Sequence, residues 1–404
     1  MKAKEESRTG PLSNVRILDL GTMIAGPVAG TLLADFGATV VKVEKPDGGD
    51  TLRHIGPFYK GESLYWNVDG RNKRSITLDL RTQKGQHILK SLVKNFDAVV
   101  ENFRPGTLEK WDLGYESLSK INPKLIMLSV SGFGQTGPYA SRAAYDRIAT
   151  AFGGLLNITG FSDRPPVRIG VSMADYLTAL FGAFSLTMAL YNRDVNSSQG
   201  QHIDLSLYET VFRFTESLAA SFQKLGVARE RAGNLGFAAA PGDHFKTSDG
   251  RYIVLTISNN ALFEKLCNIM ERHDLISDPR FCSHQLRWEN IDDINNIVAS
   301  WILTHDVSAL IQKLDGARLA YSMIYSISDI FQDEHYKFRE SIQTVTTKRL
   351  GDLMMPGVAA KFSKTPAPPL NSAPDLGEHN FDVYSELLGL SNAEIENLKK
   401  AGII

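Results

Sequence analysis

Short apolar runs alternate with helical patterns through the first half of the chain. Residues 15–20 (VRILDL) form a compact run containing β-branched side chains and stop at Gly21. Residues 27–36 follow with helical spacing and a proline in the first turn. Residues 39–44 (TVVKVE) and 75–80 (SITLDL) read as further strands, the second leading into a helix over 84–94. Residues 97–100 and 125–130 complete a set of strands that look buried on both faces. Strands separated by helices predict βαβ units and a mainly parallel sheet. Sheets of that kind bind ligands beyond the carboxyl ends of their strands.

The texture changes after residue 225. Residues 226–242 are rich in Gly, Ala and Arg and read as a linker. The turn signal Asp249-Gly250 precedes a strand at 252–257, and helical patterns follow at 261–272, 291–303 and 307–314. A second linker-like stretch begins near Pro356 and includes the proline-rich segment 364–369. Residues 380–389 and 391–402 read as helices, the last opened by a Ser391/Glu394 capping box. The expected partition is a large domain over 1–225, a small α+β domain over 226–350, and a return to the large domain over 351–404. Residues 176–191 are largely apolar, but too few for the roughly 20 residues of a membrane span. They read as a buried core helix.

Charge narrows the partners. The chain of 404 residues carries 44 basic and 45 acidic side chains, a formal net charge of -1. No global field attracts nucleic acid or a membrane surface, so neither is expected. Anionic ligands must be met by local basic residues. The two cysteines, Cys267 and Cys282, form no CxxC pair, and the nine histidines form no HxxxH or HExxH pattern. No metal is expected. The polar start MKAKEESRTG lacks the apolar segment of a secretory signal, which points to a cytoplasmic protein.

Several motifs admit two readings. Residues 132–137 (GFGQTG) match a dinucleotide fingerprint literally, but Pro138 follows at once and no helix pattern starts there, so a loop of tight turns is expected. Residues 21–26 (GTMIAG) resemble a phosphate loop without its Lys-Ser/Thr. What remains is a glycine-lined turn whose backbone N–H groups face an anion or a carbonyl oxygen. Arg71-Asn72-Lys73-Arg74 is either a solvated basic loop or a clamp on phosphates. Asp175 opens the apolar helix three residues after Ser172. That spacing fits a capping box. It also fits an ionised carboxylate, held at a helix N-terminus, that attacks an activated acyl group.

Taken together, the pieces VRILDLGTMIAGPVAGTLLADFGATVVKVEKPDGGD, NVDGRNKRSITLDL, VVENFRPGTLEKWDLGY, SVSGFGQTGP, PVRIGVSMADYLTALFGA and GQHIDLSLYE resemble, in order, the family III CoA-transferases. That family includes formyl-CoA, carnitine and succinyl-CoA–dicarboxylate transferases and related acyl-CoA racemases. The texture is nearest the succinyl-CoA:glutarate type. The resemblance implies an α/β fold with a Rossmann-like large domain and a smaller α+β domain, and a homodimer of interlocked ring-shaped chains. It implies acyl-CoA and carboxylic acid substrates, with no tightly bound cofactor. Asp175 would be the nucleophile and the amide of Ala25 an oxyanion donor. Met23 and Ile24 would lie beside the reacting carbonyl; Ile24 replaces a glutamine of formyl-CoA transferases. Lys45, Asn72, Lys73, Leu78, Arg81, Asn102, Phe103 and Lys110 would line the CoA path. Arg168 would meet the distal carboxylate of a short dicarboxylate. Tyr145 stands where the racemase branch has a catalytic histidine. A phenol is a poor base near neutrality, which favours transfer over racemisation, the alternative activity. Ser258-Asn259-Asn260 stands where some transferases carry a glycine flap.

Overall fold

The computed structural model describes residues 9–236 and 238–404. Six parallel strands build the main sheet: β1 (Arg16–Asp19), β2 (Thr39–Glu44), β3 (Lys73–Thr77), β4 (Ala98–Glu101), β5 (Ile126–Ser131) and β6 (His202–Ser206). Their order is β3-β2-β1-β4-β5-β6, that of the doubly wound nucleotide-binding sheets. Strands β1, β4 and β5 are buried almost throughout, as a parallel sheet covered on both faces requires.

Six helices matter for the site: α1 (Ala25–Ala34), α2 (Leu64–Asp69), α3 (Gln83–Val93), α4 (Asp146–Phe152), α5 (Met173–Tyr191) and α6 (Leu207–Arg213). One face of the sheet is covered by α1 and α5, whose small residues Ala25, Ala29, Ala179 and Ala183 join Val40, Val100 and Leu128 in one core. The other face is covered by α3 and the C-terminal helices, through Leu89, Leu92, Val383 and Ile395. Helix α5 presses close to the sheet at Gly182, where an added Cβ would stand 2.9 Å from Leu128 Cδ2. Pro27 sits in the first turn of α1, where a missing N–H leaves nothing unsatisfied.

The apolar helix is covered on one side only. Thr178, Gly182, Leu186 and Ala189 are buried, whereas Leu180, Phe184, Met188 and Tyr191 are exposed. With the following turn (Met173–Ser197) it is long and apolar enough, by length and composition, to cross a membrane. The expected core helix thus contributes one face to the core and leaves the other exposed.

The chain forms two compact units. The larger comprises residues 1–156, 168–227 and 335–404; the smaller comprises 157–167 and 228–334. The smaller has a three-stranded antiparallel sheet, with Tyr252–Thr256 between Gly242–Lys246 and Tyr321–Met323. Helices Asn260–Ile269, Ile291–Ile302 and Val307–Ala317 supply its own core around Phe263, Val298 and Leu314. Residues 335–350, expected in the small domain, group with the larger unit, where Ile342–Thr347 and Gly351–Pro356 pair as a hairpin.

Candidate active site

Strands β1 and β4 are neighbours, yet the chain leaves them in opposite directions across the sheet. A crevice opens beyond their carboxyl ends at such a switch point. The two loops that border it are tied together. The Thr22 N–H donates to Asn102 Oδ1 at 2.7 Å, and Asn102 Nδ2 donates to the Thr22 carbonyl at 2.8 Å. Phe103 follows, its N–H on Glu101 Oε2 and its ring edge-on to Trp111.

Buried charges hold the β1–α1 turn from below. Asp19, the last residue of β1, accepts the Gly21 N–H at 3.0 Å and the Lys73 ammonium at 2.9 Å. Lys73 also donates to the Pro27 carbonyl at 2.7 Å. Lys42 donates to the Gly21 carbonyl and pairs with Asp50 at 2.9 Å. Asp50 Oδ1 in turn accepts the Met23 N–H at 3.0 Å and the Leu52 N–H at 2.9 Å. All four charged side chains are buried. Burial alone would lift the Asp50 carboxyl, but Lys42 and the two amides hold it below its ordinary value. The consequence is visible at Met23, which adopts a left-handed conformation with φ 65°. A non-glycine residue there costs on the order of 1–3 kcal/mol and persists only when its surroundings impose it. Beyond it, the Ala25 amide occupies the first helical position of α1, where no intrahelical acceptor exists. It is a free backbone donor at the start of the helix.

Helix α5 connects β5 to the parallel strand β6, so its N-terminus faces the same carboxyl edge. Ser172, its N-cap, makes no side-chain capping bond. The capping reading of Ser172 and Asp175 therefore fails; Asp146 Oδ1, from α4, accepts the Ala174 N–H instead, at 2.8 Å. Among the described residues no hydrogen bond or ion pair holds the Asp175 carboxylate, which remains partly exposed. Burial, followed by the negative charge of Asp146, raises its pKa to about 7. These effects outweigh the helix dipole, which acts in the other direction.

Tyr65, Asp69 and Tyr176, the last beside Asp175 in the first turn of α5, form a linked group that the sequence reading missed. Tyr176 donates its hydroxyl to Asp69 Oδ2 at 2.7 Å and lies 3.4 Å from the Tyr65 hydroxyl. Burial raises Asp69 above its ordinary value despite that bond and the nearby Lys73 and Arg71. Burial also raises Tyr65, and the negative charges of Asp69 and Asp175 act in the same direction. The available signal was the i, i+4 spacing of Tyr65 and Asp69 on α2, which puts them on one helix face.

Comparison with known proteins gives the family. The family model for "CoA-transferase family III" matches residues 12–380. The chain belongs to the family III CoA-transferases. The succinyl-CoA–D-citramalate CoA-transferase of Chloroflexus aurantiacus is 43% identical over 98% of both chains. The succinyl-CoA:glutarate CoA-transferase of Mus musculus is 35% identical over 98% of this chain and 90% of its own. A crystal structure of a CAIB/BAIF family protein from Brucella suis superposes with a TM-score of 0.84 at 33% identity, covering 94% of this chain and 100% of that one.

In this CoA-transferase the expected CoA-path residues fall into two groups. Lys45, Arg81, Asn102, Phe103 and Lys110 follow the carboxyl ends of β2, β3 and β4, and the three basic side chains are exposed. Arg81 is engaged by Asp79 in a two-pronged pair at 2.8 and 2.9 Å. The side chains of the other group are engaged within the fold. Lys73 begins β3 at the opposite edge of the sheet, and its ammonium is consumed by Asp19 and Pro27. Asn72 bonds to Asp35 and to the backbone of Asn371. Leu78 is 2% exposed and belongs to the core. These three side chains brace the fold. Ile24, the N-cap of α1, is buried, while Met23 is partly exposed. Tyr145 caps α4 without a side-chain bond and stands 72% exposed. Arg168 is exposed in the strap that leads to α5. In the smaller unit Asn259 caps a helix through the Leu262 N–H, and Asn260 accepts from Arg287. Residues 132–137 form a loop, with Gly134 and Gly137 at positive φ and the Gln135 amide on Asp204.

Proposed function

We propose that this transferase moves CoA from succinyl-CoA to a short dicarboxylate through covalent intermediates on Asp175. The supporting observation is the Asp175 carboxylate: unpaired among the described residues, partly exposed, raised to about 7, and in the first turn of α5 at the carboxyl edge of the sheet. A carboxylate of that basicity is a better nucleophile than an ordinary one and is still about half ionised at pH 7. An Asp175 oxygen attacks the thioester carbon, the C–S bond breaks, and CoA leaves as thiolate with the electron pair. The product is a mixed aspartyl anhydride. The thiolate then attacks the Asp175 carbonyl, expelling succinate and leaving an aspartyl-CoA thioester. The acceptor carboxylate attacks that thioester and releases the thiolate. Attack of the thiolate on the acceptor side of the new anhydride gives the product acyl-CoA and regenerates Asp175. No proton transfer to carbon is needed, in keeping with an exposed Tyr145 where a racemase needs a base.

The choice of substrates rests on relatives, since those compared use succinyl-CoA with D-citramalate or glutarate. CoA acts as a substrate and not as a resident cofactor. The exposed stripe Leu180, Phe184, Met188 and Tyr191 on α5, with Phe212 and Phe222 nearby in sequence, supports a homodimer in which a second copy covers it. The direct test is to incubate succinyl-CoA with a panel of carboxylates and resolve the acyl-CoA products by chromatography. Short dicarboxylates should be the best acceptors, and Asp175→Ala should lose at least about 10³-fold in rate. Transfer retained by Asp175→Ala, or a preference for monocarboxylates, would overturn the proposal.

A further inference from the structure

The chemistry on Asp175 leaves one buried acid unused. Glu101 ends β4 at the carboxyl edge of the sheet and is 4% exposed. Its Oε2 accepts the Phe103 N–H at 2.8 Å. Its register partner on β5 is Ser129, so the two side chains stand on one face of the sheet. On β6, His202 Nε2 lies 2.9 Å from Ser129 Oγ. His202 is exposed, and its ring stacks on Tyr115 at 5.4 Å. A line of three side chains thus crosses β4, β5 and β6 from the interior to the surface.

Charge decides where a proton rests on this line. Burial raises the Glu101 carboxyl to about 7, while hydrogen bonding by the Ser129 hydroxyl and the Phe103 N–H pulls the other way. The charged groups that face it, Glu109 of the helix Thr107–Lys110 and Asp204 of β6, are both negative and add to the rise. Burial holds His202 below its ordinary value against the pull of Asp204, Glu109 and Glu116. A single added proton therefore settles on Glu101 and not on the imidazole. With Glu101 ionised, the Ser129 hydroxyl donates to the carboxylate and accepts from the His202 Nε2–H. With Glu101 protonated, the carboxyl donates to Ser129 Oγ, and the Ser129 hydroxyl turns to donate to His202 Nε2. The same line carries the proton in from the surface.

What the carboxylate holds is the loop after β4. An ionised acceptor makes a hydrogen bond roughly twice as strong as a neutral one, so Phe103 is held more firmly when Glu101 is charged. Its neighbour Asn102 ties the Thr22 turn through two hydrogen bonds. We propose that Glu101 is a positioning residue for CoA: ionised, it fixes the Asn102–Phe103 loop for the ligand, and a proton delivered through His202 and Ser129 loosens that loop. This rests on the reading that Asn102 and Phe103 line the CoA path. By linkage, CoA that binds the ionised form better must expel the proton when it binds.

Free CoA is titrated calorimetrically into Asp175→Asn, which lacks the other carboxyl that titrates near 7. The titrations are run at pH 6 and pH 8, with and without Glu101→Gln. The glutamine keeps an oxygen for the Phe103 N–H but cannot ionise, and the CoA phosphates titrate alike in both proteins. The ratio of Kd at pH 6 to Kd at pH 8 should be about 5- to 10-fold smaller with Glu101→Gln, the difference between a charged and a neutral hydrogen bond. At pH 7, titrations in two buffers of different ionisation enthalpy should show that intact Glu101 adds a release of ~0.3 proton per CoA bound. Ser129→Ala takes the hydroxyl from the carboxylate and should move the change in Kd to higher pH. An unchanged ratio in Glu101→Gln, or a loss of affinity equal at both pH values, would overturn the inference. So would proton uptake at Glu101, the result of simple repulsion by the CoA phosphates. Phe103→Ala separates the two readings. If it binds CoA as tightly as its parent at pH 8, the loop leaves the CoA path and the inference falls with it. If it binds more weakly while the pH ratio ignores Glu101, the path stands and the inference alone fails.

Discussion

Replacing Asp175 should make this protein more stable, in a way that pH reveals. The Asp175 carboxyl titrates at about 7 in the folded chain against 3.8 for an ordinary aspartate. Below pH 3.8 both states are protonated, and the difference contributes nothing. Between 3.8 and 7 the unfolded chain ionises first, so stability falls as pH rises. Above 7 the full cost is present, a gap of about three pH units at 1.36 kcal/mol each, or ~4 kcal/mol. Asp175→Asn keeps the shape of the protonated acid and removes the charge. It should therefore gain ~4 kcal/mol over wild type at pH 8 but only ~1 kcal/mol at pH 4.5. Unfolding entropies near 2.1 cal/mol/K per residue, applied to all 404 residues, convert this to a Tm gain of ~5 °C at pH 8 and ~1 °C at pH 4.5. Scanning calorimetry of both proteins at the two pH values measures the gap. An Asp175→Asn variant no more stable than wild type at pH 8, or a gap that does not change with pH, would refute the strained carboxylate.

The same carboxylate should govern rate: kcat/KM is expected to rise about 10-fold from pH 6 to pH 8 and then level. Asp146→Asn, which removes the neighbouring negative charge, should move that rise to lower pH. Lys73→Met deprives buried Asp19 of its nearest ammonium and should cost on the order of 3–5 kcal/mol in urea unfolding; equal stability would show that the turn does not depend on the buried charges. Tyr176→Phe leaves the buried Asp69 carboxyl without its hydroxyl donor and should cost about 1–3 kcal/mol. The accompanying loss of rate, read as kcat against KM, reports whether Tyr65 needs that anchor.

Strand β2 was legible to the residue, because TVVKVE carries β-branched residues with no competing pattern. Strand β3 was read two residues late, since it opens with Lys73 and Arg74, and a charged pair looks like a loop. Only the fold shows that Lys73 is neutralised by Asp19, 54 residues earlier. Strand β6 escaped notice because His202 and Asp204 interrupt it, as an edge strand of the sheet permits. The last capping box, Ser391 with Glu394, was read correctly from sequence. The similar spacing at Ser172 and Asp175 was not decidable locally, since S-x-x-D suits a cap and a nucleophile equally. The tertiary structure removes the capping reading by bringing Asp146 to the Ala174 amide, and it leaves Asp175 without a partner among the described residues. Tyr65 and Tyr176 went unnoticed for a related reason: 111 residues separate them, and each alone reads as core.

The covalent role proposed for Asp175 is tested most directly by trapping. Wild-type protein is incubated with succinyl-CoA, quenched with hydroxylamine, digested and mapped by mass spectrometry. The expected result is a hydroxamate on Asp175, formed only when the acyl-CoA is present and absent from Asp175→Asn. Active enzyme that transfers CoA while Asp175 stays unmodified, or carries the adduct on another residue, would contradict the account.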